Sequence, residues 1–262
     1  MSEEAYREES NASKSLVREL FTRKTQDYAG SSLLVNSDNL DAVIQLSQIS
    51  SNDRVLDVAT GTGFMAKAMS GIGADVLATD FTISMLEKAR EGIGDCDNAA
   101  FALADAECLP FADASFDVIA CRVAIHHFAN PQIALREMAR VCKPGGRVVI
   151  MDVVSSEDES RSELHNRIGK MRDSSEVRQW RCSELEQMLR DGALDVSTVD
   201  LWPHLMAFDE WIRLGGADAE TALEVKRMVI DSMEGDKAGL SPEFRNGELY
   251  FTWTTAILIA NK

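Results

Sequence analysis

The sequence predicts an α/β fold, an open and mostly parallel sheet with helices on both faces. Three observations carry that expectation. Between residues 54 and 154, apolar β-prone runs alternate with amphipathic helical ones, the pattern of strands joined by crossover helices. The first run leads through Val55-Leu56-Asp57-Val58-Ala59-Thr60-Gly61-Thr62-Gly63 into an apolar helix. A strand, a glycine turn and a helix in that order place a ligand site at the carboxyl end of the strand. Asn130-Pro131 and Gly145-Gly146 then punctuate the last crossover, with proline at a first helical position and glycine in the connection that follows.

The elements follow in order. The first ten residues are polar and are expected to fray. Leu16, Val17, Leu20 and Phe21 recur at helical spacing and predict a helix over 13–28. Leu40, Val43, Ile44 and Leu46 predict a second over 38–49. Strands are expected at 54–58, 74–79, 99–104, 116–122 and 147–154, with helices over 64–69, 83–90 and 131–142. Residues 155–192 read as helical and charged, with a capping box at Ser183-Glu184-Leu185-Glu186. A strand near 194–201, helices over 208–213 and 219–233, and a closing strand over 248–260 complete the chain. The divisions are 1–50 for N-terminal helices forming a lid, 51–154 for a binding core, and 155–262 for cap helices with the last strands.

Composition narrows the function classes. The chain has 262 residues, 45 % hydrophobic and 27 % charged, and a formal net charge of −16. Such a charge disfavours nucleic acid and stable association with anionic membranes, and suits a neutral or cationic small molecule. No apolar run is long enough to span a bilayer, and the acidic N-terminus is not a signal peptide. Cys96, Cys108, Cys121, Cys142 and Cys182 make an odd set without a C-x-x-C spacing. Reduced thiols in the cytoplasm are the simplest reading. No metal-ligand spacing is present, so no metal is expected.

Gly61-Thr62-Gly63-Phe64-Met65-Ala66 fits a dinucleotide fingerprint. Asp80, nineteen residues beyond Gly61 at the end of the second strand, can accept from both ribose hydroxyls. Asp57 separates two guests. Beside a pyrophosphate it would meet a like charge, whereas S-adenosylmethionine brings a cationic ammonium and sulfonium. Asp105, after the third strand, can accept the adenine amino group.

These residues resemble the class I S-adenosylmethionine-dependent methyltransferases, most closely the branch that includes the ubiquinone/menaquinone C-methyltransferases. The resemblance rests on Val55 to Gly63, Ala78-Thr79-Asp80, Asp105-Ala106-Glu107-Cys108-Leu109-Pro110-Phe111, Phe116-Asp117-Val118-Ile119, and the run from Leu135 to Gly146. It implies a Rossmann-like fold of seven mostly parallel strands, the last antiparallel, under a helical cap. It implies that Asp57, Gly61 and Gly63 hold the methionine portion of S-adenosylmethionine, Asp80 the ribose and Asp105 the adenine amine, with Phe81 and Ala106 flanking the ring. Ala59, Met85, Glu107 and Arg122 join the cofactor-binding set. Tyr28, within Asp27-Tyr28-Ala29-Gly30-Ser31, matches a stretch that closes over the methionine end. Arg172-Asp173-Ser174-Ser175-Glu176-Val177-Arg178 is similar to a stretch that often carries histidine where Glu176 stands here.

His126 and His127 follow the fourth strand, where the methyl group would be presented. Adjacent loop residues point apart, so one of them is expected to face the cavity as a catalytic base. His165 and His204 are assigned surface or packing roles. Trp180, Trp202 and Trp211, with Met171 and Met206, form either an apolar substrate pocket or cap packing. The expected activity is methyl transfer to a small-molecule acceptor by in-line displacement, with an oligomer compatible. The rival readings are a catalytically silent binder of the same cofactor and a nicotinamide-dependent oxidoreductase.

Overall fold

The computed structural model describes residues 3–30 and 37–262; Ser31 of the Tyr28 stretch lies outside them. Two helices, α1 (Glu3–Ala29) and α2 (Ser37–Ser47), precede the sheet. The alternating half comprises β1 (Arg54–Val58), α3 (Phe64–Gly71), β2 (Asp75–Asp80), α4 (Ile83–Ile93), β3 (Ala99–Leu103), β4 (Phe116–Arg122), α5 (Pro131–Val141) and β5 (Cys142–Val153). The remainder comprises α6 (Glu159–Arg172), α7 (Cys182–Asp191), β6 (Asp195–Ala207), α8 (Phe208–Gly215), α9 (Ala219–Asp231), β7 (Glu243–Arg245) and β8 (Glu248–Asn261).

The strand order is β3-β2-β1-β4-β5-β8-β6. β1 to β5 run parallel, and β8 lies antiparallel between β5 and β6. The chain leaves β1 in one direction and returns to β4 in the other. A crevice therefore opens above the carboxyl ends of β1 and β4. Apolar residues cover both faces of the sheet. Leu56, Ile119 and Ile150 pack under α5 and α7, while Val55, Val118 and Val149 pack under α2 and α3. A third cluster joins Trp211 of α8 and residues of α9 to Phe251 and Trp253 of β8.

The sheet differs from the expectation in its second half. β6 continues to Ala207 through Pro203, which an edge strand tolerates because its outer N–H groups need no partner. A short eighth strand, β7, pairs with β8 through Asn246-Gly247, whose φ values of 51° and 84° are those of a two-residue hairpin turn. The N-terminal segment is helical from Glu3 rather than frayed to residue 10. The capping box is also displaced. Glu184, not Glu186, turns back on the helix start and accepts from the Arg181 N–H at 3.0 Å. Ser183 donates its hydroxyl to Glu157.

Candidate active site

The crevice contains a cavity of about 1030 Å³, open mouth included. Asp57, Ala59, Gly61, Asp80, Phe81, Met85, Asp105, Ala106, Glu107, Arg122, Tyr28 and His127 all line it. Gly63 and His126 do not. Ala59 and Val123, each the residue that follows one of the two strands flanking the crevice, have φ of 55° and 53°. For Val123, which is β-branched, that conformation costs about 1–3 kcal/mol.

The two glycines of the turn serve different ends. Gly61 has φ 56°, and a Cβ built on it would meet nothing within 4 Å, because its open side is the cavity. Gly63 has φ 86°, and its Cβ would lie 2.7 Å from that of Ala89. Gly63 lets α3 close on α4.

Three carboxylates are arranged along the strand ends. Asp80 accepts the Thr82 N–H at 2.8 Å on one oxygen and the Gly61 N–H at 3.0 Å on the other. Each oxygen keeps a lone pair for a guest. Burial raises the pKa of Asp80 against those two bonds. Asp57 is buried, and burial pushes its pKa up to about 7. The Thr60 hydroxyl at 2.6 Å, Arg122 and the Ala66 N–H act in the opposite sense. Arg122 is itself brought down to about 10 by burial, with Asp57 opposing. Asp105 accepts the Glu107 N–H at 2.9 Å.

Lys14, which the sequence did not single out, reaches from α1 to Asp105 at 2.7 Å and Glu107 at 2.8 Å. Its helix lies across the cavity. Arg18 stands over the Phe81 ring at 5.1 Å, and Thr25 bonds Ser84 at 3.0 Å.

The opposite end is aromatic. The Phe21 ring meets Tyr28 edge-on at 5.1 Å and His127 at 5.0 Å. His127 Nδ1 lies 3.1 Å from Ser175 Oγ, and burial holds the ring's pKa at about 4, so it is neutral near pH 7. Burial raises the pKa of Tyr28, which therefore remains a donor. His126 Nδ1 lies 2.6 Å from Asp152 Oδ1, and its ring packs on that of His127 with centroids 4.1 Å apart, so the two side chains do not point apart as the sequence suggested. Burial would lower the pKa of His126, but the charge and hydrogen bond of Asp152 raise it.

A methyltransferase domain family matches residues 56–150. The uncharacterized methyltransferase YcgJ of Bacillus subtilis is 32 % identical over 207 residues, covering 78 % of this chain and 82 % of that protein. The chain belongs to the S-adenosylmethionine-dependent methyltransferases. The crystal structure of the Bacillus subtilis YcgJ protein superposes on this methyltransferase with a TM-score of 0.79 and 29 % identity, covering 87 % of this chain and 99 % of the other. Demethylmenaquinone methyltransferase of Clavibacter sepedonicus is 38 % identical over 128 residues. The methyltransferase spans only 52 % of that relative.

The aromatic residues of the second half do not gather into one pocket. Trp180, Trp202 and Trp211 fall into three different apolar clusters, and Met171 and Met206 pack with Trp211. His165 is buried and His204 bonds Thr255 at 2.9 Å. Among the described residues no three His, Cys, Asp or Glu side chains gather to hold a metal. No described helix is long and apolar enough to cross a membrane.

Proposed function

We propose that this methyltransferase acts on a small, uncharged cytoplasmic molecule that presents an O–H or N–H group, by in-line displacement. The observation that carries the reading is neutral His127 in the cavity wall, between Phe21 and the end of β4. The cationic groups lining the cavity already face carboxylates: Lys14 meets Asp105 and Glu107, and Arg122 faces Asp57. An anionic acceptor would find no unmatched cation, whereas a hydroxyl or amine can donate to His127.

The residues fit S-adenosylmethionine. Gly61 leaves the space a side chain would fill, Asp80 retains two acceptor positions for a ribose, and Asp105 faces the adenine end with Phe81 and Ala106 beside it. Asp57 and Tyr28 take the methionine end. When bound, the cofactor supplies an electrophilic methyl group on a cationic sulfonium. The protein's own work is positioning, which supplies about 7–11 kcal/mol in well-oriented systems. Residues 1–50 act as a lid on the 51–154 core, and 155–262 complete the acceptor side. The test is a small-molecule extract incubated with the enzyme and methyl-labelled cofactor. Label is expected in one or a few uncharged products. Label appearing only in anionic products, or in none, contradicts the reading.

A further inference from the structure

The segment Asp173–Val177 directly follows α6. In the structure it backs the histidine loop. The Val177 N–H donates to the His126 carbonyl at 2.8 Å. Arg172 pairs with Glu176 at 2.5 Å and with Asp173 at 3.3 Å, and Gln179 donates to Glu176 at 2.9 Å. Asp173, Ser175 and Glu176 are all buried. A buried charged network of this kind is costly unless its members are paired and hydrogen-bonded.

We propose that Asp173 and Ser175 are positioning residues that fix the tautomer of His127, with the ring proton on Nδ1 and the lone pair on Nε2 turned to the acceptor. This rests on the reading that His127 serves the acceptor. Ser175 Oγ lies 2.6 Å from Asp173 Oδ1, and the same oxygen accepts the Ser175 N–H at 2.9 Å. A carboxylate only accepts, so the single hydroxyl proton of Ser175 belongs to Asp173. Only lone pairs of Ser175 Oγ remain for His127 Nδ1 at 3.1 Å, and the ring nitrogen must donate. The reverse arrangement would leave two oxygens 2.6 Å apart with no proton between them. A neutral imidazole has one N–H, so Nε2 is left bare. His126 is excluded from this relay because its own Nδ1 is engaged by Asp152.

The arrangement selects the acceptor. A group that donates a proton to Nε2 is bonded and oriented, with its own lone pair free for the methyl group. A group that only accepts, such as a carbonyl, an ether or a carboxylate, gains nothing there.

The test is long-range proton–nitrogen correlation spectroscopy on the full chain labelled with nitrogen-15 histidine. With four histidines, a His127→Gln control assigns the signals. Near neutral pH, His127 is expected as the Nδ1–H tautomer. Ser175→Ala should convert the majority to Nε2–H, and Ser175→Thr, which keeps the hydroxyl, should restore Nδ1–H. Nε2–H in the unaltered protein overturns the proposal whether or not the variants fold. So does Nδ1–H persisting in a folded Ser175→Ala protein. The spectra need no acceptor, so a failed extract screen with the predicted tautomer counts against the acceptor reading and leaves the relay standing.

Discussion

Lys14 of α1 and Asp105 after β3 stand 2.7 Å apart, ammonium to carboxylate, although ninety-one residues separate them. The contact fastens the N-terminal helix to the end of the cleft assigned to adenine. It also makes Lys14 a competitor for the oxygen that the adenine amine would use. Lys14→Met should loosen α1 in the free protein. For a half-buried pair the effect is about 1 kcal/mol, or roughly five-fold faster amide exchange over residues 10–30. Hydrogen-exchange mass spectrometry without ligand reads this directly, and unchanged exchange would show that other contacts hold the helix.

Asp80→Ala should weaken binding of S-adenosylhomocysteine by about 10- to 150-fold, the loss of charge-assisted bonds worth about 1.5–3 kcal/mol. Titration calorimetry on the folded variant measures it. Some stability should also be lost, since the Gly61 and Thr82 N–H groups lose their acceptor.

The two glycines of the turn should separate stability from affinity. Gly63→Ala drives a methyl group to 2.7 Å from Ala89 and should lower the melting temperature by several degrees. Gly61→Val meets no protein atom at Cβ. It should cost about 1–2 kcal/mol of backbone strain and abolish cofactor binding by filling the cavity. Calorimetric melting and ligand titration of both variants test the distinction, which equal losses in the two would remove.

Cofactor affinity should depend on pH through Asp57. Its pKa in the free protein is raised to about 7, and a cationic guest favours the carboxylate. Below about pH 7 binding must therefore expel a proton. Affinity should fall by up to tenfold per pH unit on going down from 7 and level off above about 8. Asp57→Asn should flatten the profile as it lowers affinity. Titrations in buffers of different ionisation enthalpy would reveal the released proton.

Much of the core could be read locally. Strand, glycine turn and helix are adjacent in sequence, and Asp57, Asp80 and Asp105 each stand at or just beyond a strand end, where the fold converges. What remained hidden came from far away in the chain. Lys14 and Phe21 sit on a polar helix whose pattern says nothing of the surface it will meet. The sequence places two histidines after β4 and implies opposed directions. In the structure the two rings pack together, centroids 4.1 Å apart, and their partners, Asp152 and Ser175, lie twenty-six and forty-eight residues away. The tryptophans were ambiguous because bulky apolar residues serve a pocket and a core equally well, and here they fall into three cores. Asn246-Gly247 is itself a hairpin signal in the sequence.

The measurement that tests the account most directly is a crystal structure of the protein with S-adenosylhomocysteine. The ribose hydroxyls are expected on Asp80, the adenine amine on Asp105 with Lys14 displaced or shared, and the sulfur facing the space before His127 Nε2. A ligand bound elsewhere, or with its homocysteine end against Asp105, would contradict the account.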